Sequence, residues 1–257
     1  MNPSDPRRRD SRPSALPTTQ LHPDAHDETR AVADRYARRA RTLDARLYSM
    51  LSPDVWQTVQ ERQRAILKLF KRLGWPDLRG LKLIEVGCGS GVNLLEFLRI
   101  GFAPQNLSGV ELLPDRLAMA RRVLPKTLQL HGGDACLLDL PAGSQDVVFQ
   151  ATVFSSLLDT DFRIRLADQM WRWVKPGGGV LWYDFTVNNP KNPDVRGVPL
   201  RHVQRLFPEG RLNVTRVTLA PPLARKICRL SPSLYPVFNA VPQLRTHALV
   251  WIEKPLS

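Results

Sequence analysis

Residues 81–91 read LKLIEVGCGSG. Leu81, Leu83, Ile84 and Val86 make a short apolar run of the kind that lies buried on both faces of a parallel sheet. Gly87, Gly89 and Gly91 follow on alternate positions. VNLLEFLRI then continues with apolar residues at 92, 94, 95 and 98, which is helical spacing. Strand, glycine turn and helix in that order build the crevice in which open α/β sheets bind nucleotides. Glycine suits the turn because it accepts positive φ and lets the backbone approach a ligand. The spacing departs from the dinucleotide fingerprint G-x-G-x-x-G, whose third glycine would fall on Val92.

The segments downstream supply three further signals. NLSGVEL, 106–112, reads as a second strand ending at Glu111, near the distance from the turn at which an acid binds ribose hydroxyls. A carboxylate can accept both hydroxyl hydrogens. TLQLHGGDA, 127–135, reads as a third strand closed by Asp134, which could alternatively cap the next turn. DVVFQAT, 146–152, reads as a fourth strand, and VKPGGGVLW places a turn at 175–179 before a fifth, VLWYDFT.

The E-x-G-x-G-x-G run, the GDA segment, GSxDVV and VKPGGGVLW together resemble the class I S-adenosylmethionine-dependent methyltransferases, continuously over residues 81–186. The resemblance implies an α/β, Rossmann-like, doubly wound sheet of seven strands in the order 3-2-1-4-5-7-6, strand 7 antiparallel, with N-terminal helices. It implies S-adenosyl-L-methionine as cofactor, held by Glu85, Gly87, Cys88, Gly89, Gly91, Glu111, Leu112, Asp134, Ala135 and Gln150. Thr152 and Phe154 would face the acceptor. The Asn/Asp-Pro-Pro-aromatic segment of adenine amino-methyltransferases is replaced by Ala151-Thr152-Val153-Phe154, and the Pro-Cys nucleophile of cytosine C5 enzymes is absent. Both base chemistries are therefore disfavoured.

Three regions lie outside that span. Residues 1–27 carry Pro, Ser, Arg and Asp without apolar periodicity and read as a disordered extension. Residues 28–80 read as a helical cap, with one helix over 28–50 and another from Ser52-Pro53-Asp54 to Gly74. Its Tyr36 and Tyr48 are candidates to line the site, with ordinary packing on the sheet as the favoured alternative. Residues 81–257 are expected to form the main domain. Within it, the polar, proline-rich loop 188–199 leaves a strand end and reads as an acceptor-binding loop. Its candidate contacts are Asn188, Asn189 and Arg196, with Asp184 and His202 as alternative general bases for a hydroxyl acceptor. A carboxylate acceptor would need no base, only orientation. The insert 220–243 mixes apolar residues with Arg225, Lys226 and Arg229, and reads as a lid or a membrane-facing surface.

Composition narrows the partners. The formal net charge is +13, and 29 of the 37 basic residues are arginine. Residues 191–229 hold nine Lys or Arg against Asp194 and Glu209, which favours anionic partners. The three cysteines show no metal-ligand spacing, so no metal is expected and a reducing cytoplasm is. No apolar run approaches the ~20 residues that span a bilayer. The expected acceptor is a small molecule or glycan, anionic or lipid-linked. RNA or protein recognised by 191–229 is the alternative, and a catalytically silent binding module is the third reading.

Overall fold

The computed structural model describes residues 25–42, 49–188 and 192–256. Its centre is one seven-stranded sheet in the order β3-β2-β1-β4-β5-β7-β6. The strands are β1 (Leu83–Val86), β2 (Leu107–Glu111), β3 (Gln129–Gly132), β4 (Gln145–Ala151), β5 (Val174–Phe185), β6 (Arg211–Leu219) and β7 (Arg245–Glu253). β1 pairs in parallel with β2 and β4, and β4 with β5, while β7 runs antiparallel to both β5 and β6. This is the order and direction implied by the sequence resemblance. The parallel crossovers are supplied by α3 (Val92–Arg99), α4 (Pro114–Val123) and α5 (Thr160–Trp173).

Burial explains why the central strands read as unbroken apolar runs. All of β1 is buried, and so are Val147, Val148 and Phe149 of β4. Ile84, Val86 and Val148 pack on one face with Phe154, Trp173 and Trp182. Leu83, Val147 and Phe149 pack on the other with Leu94, Phe97 and Trp251.

The structure differs from the sequence reading in two places. The turn expected at 175–179 belongs to β5: the Gly177 amide donates to Lys254 O and the Lys254 amide to Gly178 O, each at 2.9 Å. A side chain at Gly179 would sit 2.5 Å from the Trp251 ring, so the glycine run admits a close strand–strand approach. The first helix, α1 (Ala25–Thr42), begins inside the extension expected to be disordered over 1–27; residues 1–24 and 43–48, with Tyr48, lie outside the described residues.

The second helix, α2 (Pro53–Arg72), packs on β6 and β7 and ties the 220–244 insert to the domain. Glu61 is buried, and its Oε2 accepts from the Thr218 amide at 2.9 Å and the Tyr235 hydroxyl at 2.8 Å. Thr218 has φ 67°, a costly conformation for a β-branched residue. The Glu61 bond and the 2.8 Å contact between its Oγ1 and Tyr183 Oη hold it there. The insert folds as α7 (Pro221–Leu230) and α8 (Tyr235–Asn239) around Leu219, Ala224, Ile227 and Tyr235. Tyr235→Phe removes one of the two donors to the buried Glu61 oxygen. It should lower unfolding stability by about 1–2 kcal/mol, read from the urea midpoint; an unchanged midpoint would show that the hydroxyl contributes nothing net.

Candidate functional site

The cleft opens at the carboxyl ends of β1, β2 and β4, where open α/β sheets bind ligands. Counted out to its open mouth, it comprises about 770 Å³. Val110, Leu112, Ala135, Phe162 and Leu166 give it apolar walls, and Glu111, Asp134, Thr152 and Ser156 give it polar groups.

Its floor is the glycine turn. Gly87 has φ 67°, and a Cβ there would lie 2.6 Å from Val153 Cγ2. Both constraints exclude a side chain at this point of the wall. The amides of Gly87 and Cys88 donate to Val110 O, which draws the turn against β2. The Glu111 carboxylate completes the joint: Oε2 accepts from the Gly89 amide at 2.7 Å and Oε1 from the Leu113 amide at 2.9 Å. A carboxylate offers about four acceptor positions, so Glu111 retains capacity for two hydroxyl donors. Asp134 caps the turn after β3 by accepting from the Cys136 amide at 2.8 Å, and also lines the cleft. Capping and cleft lining coexist in this residue.

The fourth wall comes from α1. Arg35 donates to Glu28 Oε1 at 2.6 Å and to Ser156 O at 3.0 Å, and the Leu158 amide donates to the same Glu28 oxygen at 2.7 Å. This buried pair pins α1 across the tip of β4. Tyr36 then lines the cleft, with Arg116 Cζ 4.5 Å from its ring centroid. Arg38 and Arg39 reach Asp194 and tie the described part of the 188–199 loop to the same helix.

The structure brings Gly87, Glu111, Leu112, Asp134, Ala135 and Thr152 together on this cleft. Thr152 has φ 58°, a strained position at the strand tip. Its carbonyl accepts from the hydroxyls of Ser155 and Ser156.

Other candidates are placed elsewhere. Cys88 is buried against Gly109 and Leu94, and burial pushes its thiol well above the usual range. Gln150 is fully buried, accepting from the Val153 amide at 3.0 Å, so it braces the turn after β4. Phe154 is fully buried 4.4 Å from the Trp182 ring, a core residue instead of a substrate contact. Asp184 lies off the cleft with its carboxylate accepting from the amides of Ser155 and Phe185. Burial, only partly offset by these donors and Arg163, pushes it up to about 7. It positions the turn that carries Ser155. His202 stands on α6 (Leu200–Leu206), away from the lining residues, its pKa lowered by burial and by Arg201, Arg205 and Arg163. Asn188 accepts from the Gly197 amide at 2.9 Å and closes its own loop. Arg196 is exposed beside that loop, and Asn189 lies outside the described residues. Gly89 and Gly91 support the turn without lining the cleft.

Cleft-lining residues not singled out from sequence include Arg116, Ser156, Phe162 and Leu166. Phe162 and Leu166 sit four apart on α5, a spacing that reads equally as core. Arg163, on the same helix, is 7 % exposed, and its Nε and Nη2 have no hydrogen-bond partner among the described residues. Burial and the neighbouring Arg196 lower its pKa, while Asp184, Glu28 and Asp159 oppose that shift.

Residues 83–178 match the family model described as a methyltransferase domain. These residues therefore carry a methyltransferase-type domain on the doubly wound sheet. No curated protein matches the chain. Among solved structures, the Haemonchus contortus phosphoethanolamine N-methyltransferase 2 complex aligns at TM-score 0.57 and 18 % identity, over 87 % of this chain and 57 % of that one. A Mesorhizobium loti S-adenosylmethionine-dependent methyltransferase aligns at 0.51 and 18 %, over 71 % and 98 %. The [4+2]-cyclase SpnF aligns at 0.53 and 15 %, over 74 % and 82 %. These likenesses concern the fold.

The cleft suits S-adenosyl-L-methionine, the cofactor that the sequence resemblance implies. Apolar walls match a purine, and Glu111 matches a ribose diol. Glu85, behind the turn, is fully buried with Oε1 taken by Asn93 at 2.6 Å and Oε2 without a partner. When bound, the cofactor supplies an electrophilic methyl group on a sulfonium. The residues themselves supply alignment and water exclusion.

Two measurements follow. Glu111→Ala should weaken cofactor binding roughly tenfold or more with the fold preserved, and unchanged affinity by calorimetry would reject the ribose role. Burial above all pushes Glu85 from 4.5 up to about 8, offset by Asn93 and Arg62 and reinforced by Glu111. Between those values the folded state keeps a proton that the unfolded chain has released. Stability is therefore lost as pH rises through that window, by at most about 1.4 kcal/mol per pH unit. Glu85→Gln should remove this slope, so that the variant's advantage in unfolding midpoint grows from about pH 5 to about pH 8. A pH-independent difference would mean that Glu85 is ionised throughout in the fold.

Proposed function

We propose that this methyltransferase transfers the methyl group to an oxygen of a small molecule or of a glycan. The observation that carries this reading is the roof that α1 sets over one side of the cleft. The buried Glu28–Arg35 pair holds α1 over the tip of β4, which narrows the cleft to a recess bounded by Tyr36, Thr152, Val153 and Ser156. A folded RNA or protein surface does not fit such a space, whereas a small molecule or a sugar does.

An anionic acceptor fits best. Arg116 lines the cleft against the Tyr36 ring and supplies a guanidinium there. With Asp184 held by two amides, no carboxylate or imidazole is offered beside Tyr36, Thr152, Val153 and Ser156 among the described residues. An acceptor carboxylate needs no base, and it gains from orientation by guanidinium. The protein fixes the attacking oxygen in line with the bond that breaks.

Incubation with methyl-labelled S-adenosyl-L-methionine and fractionated cell extract tests this reading. Label should enter the small-molecule or polysaccharide fraction. Release as methanol in mild alkali would mark a carboxylate acceptor, and retention would mark a hydroxyl. Label in RNA or protein would overturn the proposal, and turnover in no fraction despite cofactor binding would indicate a silent binding module.

A further inference from the structure

The insert between β6 and β7 presents an unusual surface. Leu230 is 82 % exposed and Val237 63 %, and Leu234, Phe238 and Val241 are exposed beside them. Pro232, Pro236, Ala240 and Pro242 fill the spaces between, so the outer surface of 230–242 is almost wholly apolar. Its inner residues, Ile227, Cys228 and Tyr235, are already buried against α2 and β6, so the outer ones are not core awaiting a partner strand. Gln57 donates to Pro232 O at 3.5 Å, which brings the N-terminal end of α2, with exposed Leu51 and Trp56, to the same side. Contiguous apolar surface of this kind marks a binding face.

Charge decides what it binds. Residues 210–252 contain no Asp or Glu and six Lys or Arg. Arg225, Lys226 and Arg229 follow one another along α7 and make no ion pair among the described residues. Asp54 on α2 is the acid near this face, acting on Cys228. Exposed aliphatics and aromatics bordered by unpaired basic side chains, with a tryptophan at the margin, complement the interface of an anionic bilayer. A protein partner of ordinary composition would call for acids as well as bases at the rim.

Topology gives the face its purpose. β6 runs parallel to β5, because both are antiparallel to β7. The insert therefore leaves the sheet at the same edge as the cleft, three strand spacings from β4, or roughly 14 Å. We propose that residues 230–242, with Arg225, Lys226 and Arg229, dock the enzyme on an anionic lipid surface with the cleft edge towards it. This goes beyond the acceptor reading and does not depend on it.

Co-sedimentation of the full chain with vesicles tests the proposal. Vesicles of phosphatidylcholine with about one-third phosphatidylglycerol should bind the protein, and binding should fall as salt rises. Each of Arg225→Glu, Lys226→Glu and Arg229→Glu should weaken that binding at least roughly fivefold, with little effect on pure phosphatidylcholine. Val237→Asp with Phe238→Asp should abolish binding to both. Calorimetric affinity for S-adenosyl-L-methionine should stay at the parental value in every variant, which reports an intact fold. Absence of the parental protein from anionic pellets, or equal binding by the Val237/Phe238 variant, would overturn the proposal. So would a dimer in sedimentation velocity that this variant dissolves, without vesicle binding by the parent, because the face would then belong to a second copy.

Discussion

One carboxylate couples the two strand tips on which the cleft depends. Glu111 ends β2 and accepts the amide of Gly89 from the turn after β1, together with Leu113 of its own chain. Amides at the start of a turn have few other partners, and burial without one is costly. The acid therefore fixes the spacing between β1 and β2 while keeping acceptor capacity on the cleft side. A loop of glycines alone would be loose. Tied to Glu111, it becomes a rigid floor.

A second set of buried charges does the same for the roof. Glu28 and Arg35 lie on one helix, two turns apart, and each also bonds the backbone beyond β4. A buried pair adds little net stability, but it is strongly directional, and removing one partner strands the other. Its value here is geometric: α1 meets the sheet in one register, and Tyr36 is held at the cleft beneath Arg116. Arg62 carries a similar link on the far side of the turn. It donates to Asn93, which donates to Glu85. The helical cap thus reaches the cleft from above and the glycine turn from behind.

The polar side chains after β4 show how function and packing share one segment. Gln150, Asp184 and the Thr152 carbonyl all bond backbone or hydroxyls within residues 152–156. They hold a threonine in the left-handed region at a strand tip that lines the cleft. Strain of this kind persists only where the surroundings over-determine it. The polar groups that look catalytic in the sequence are here the ones that fix the backbone.

The sequence by itself determined the strand–turn–helix nucleus, the element order and the acids at strand tips. These follow from local apolar periodicity, from glycine spacing and from residue types at element ends. It did not determine which way side chains turn on strands buried on both faces. Along β1 and β4 the apolar pattern has no polar side to mark, so Glu85, Gln150 and Cys88 read as cleft residues although they point into the protein. Nor did it separate Phe162 and Leu166, core residues that also line the cleft, from Met170 and Trp173, which do not, since all share one helical stripe. The exposed apolar insert was likewise undecided. Hydrophobicity states that a surface prefers burial, but only the packing of α7 and α8 on α2 and β6 decided which half of it was already covered.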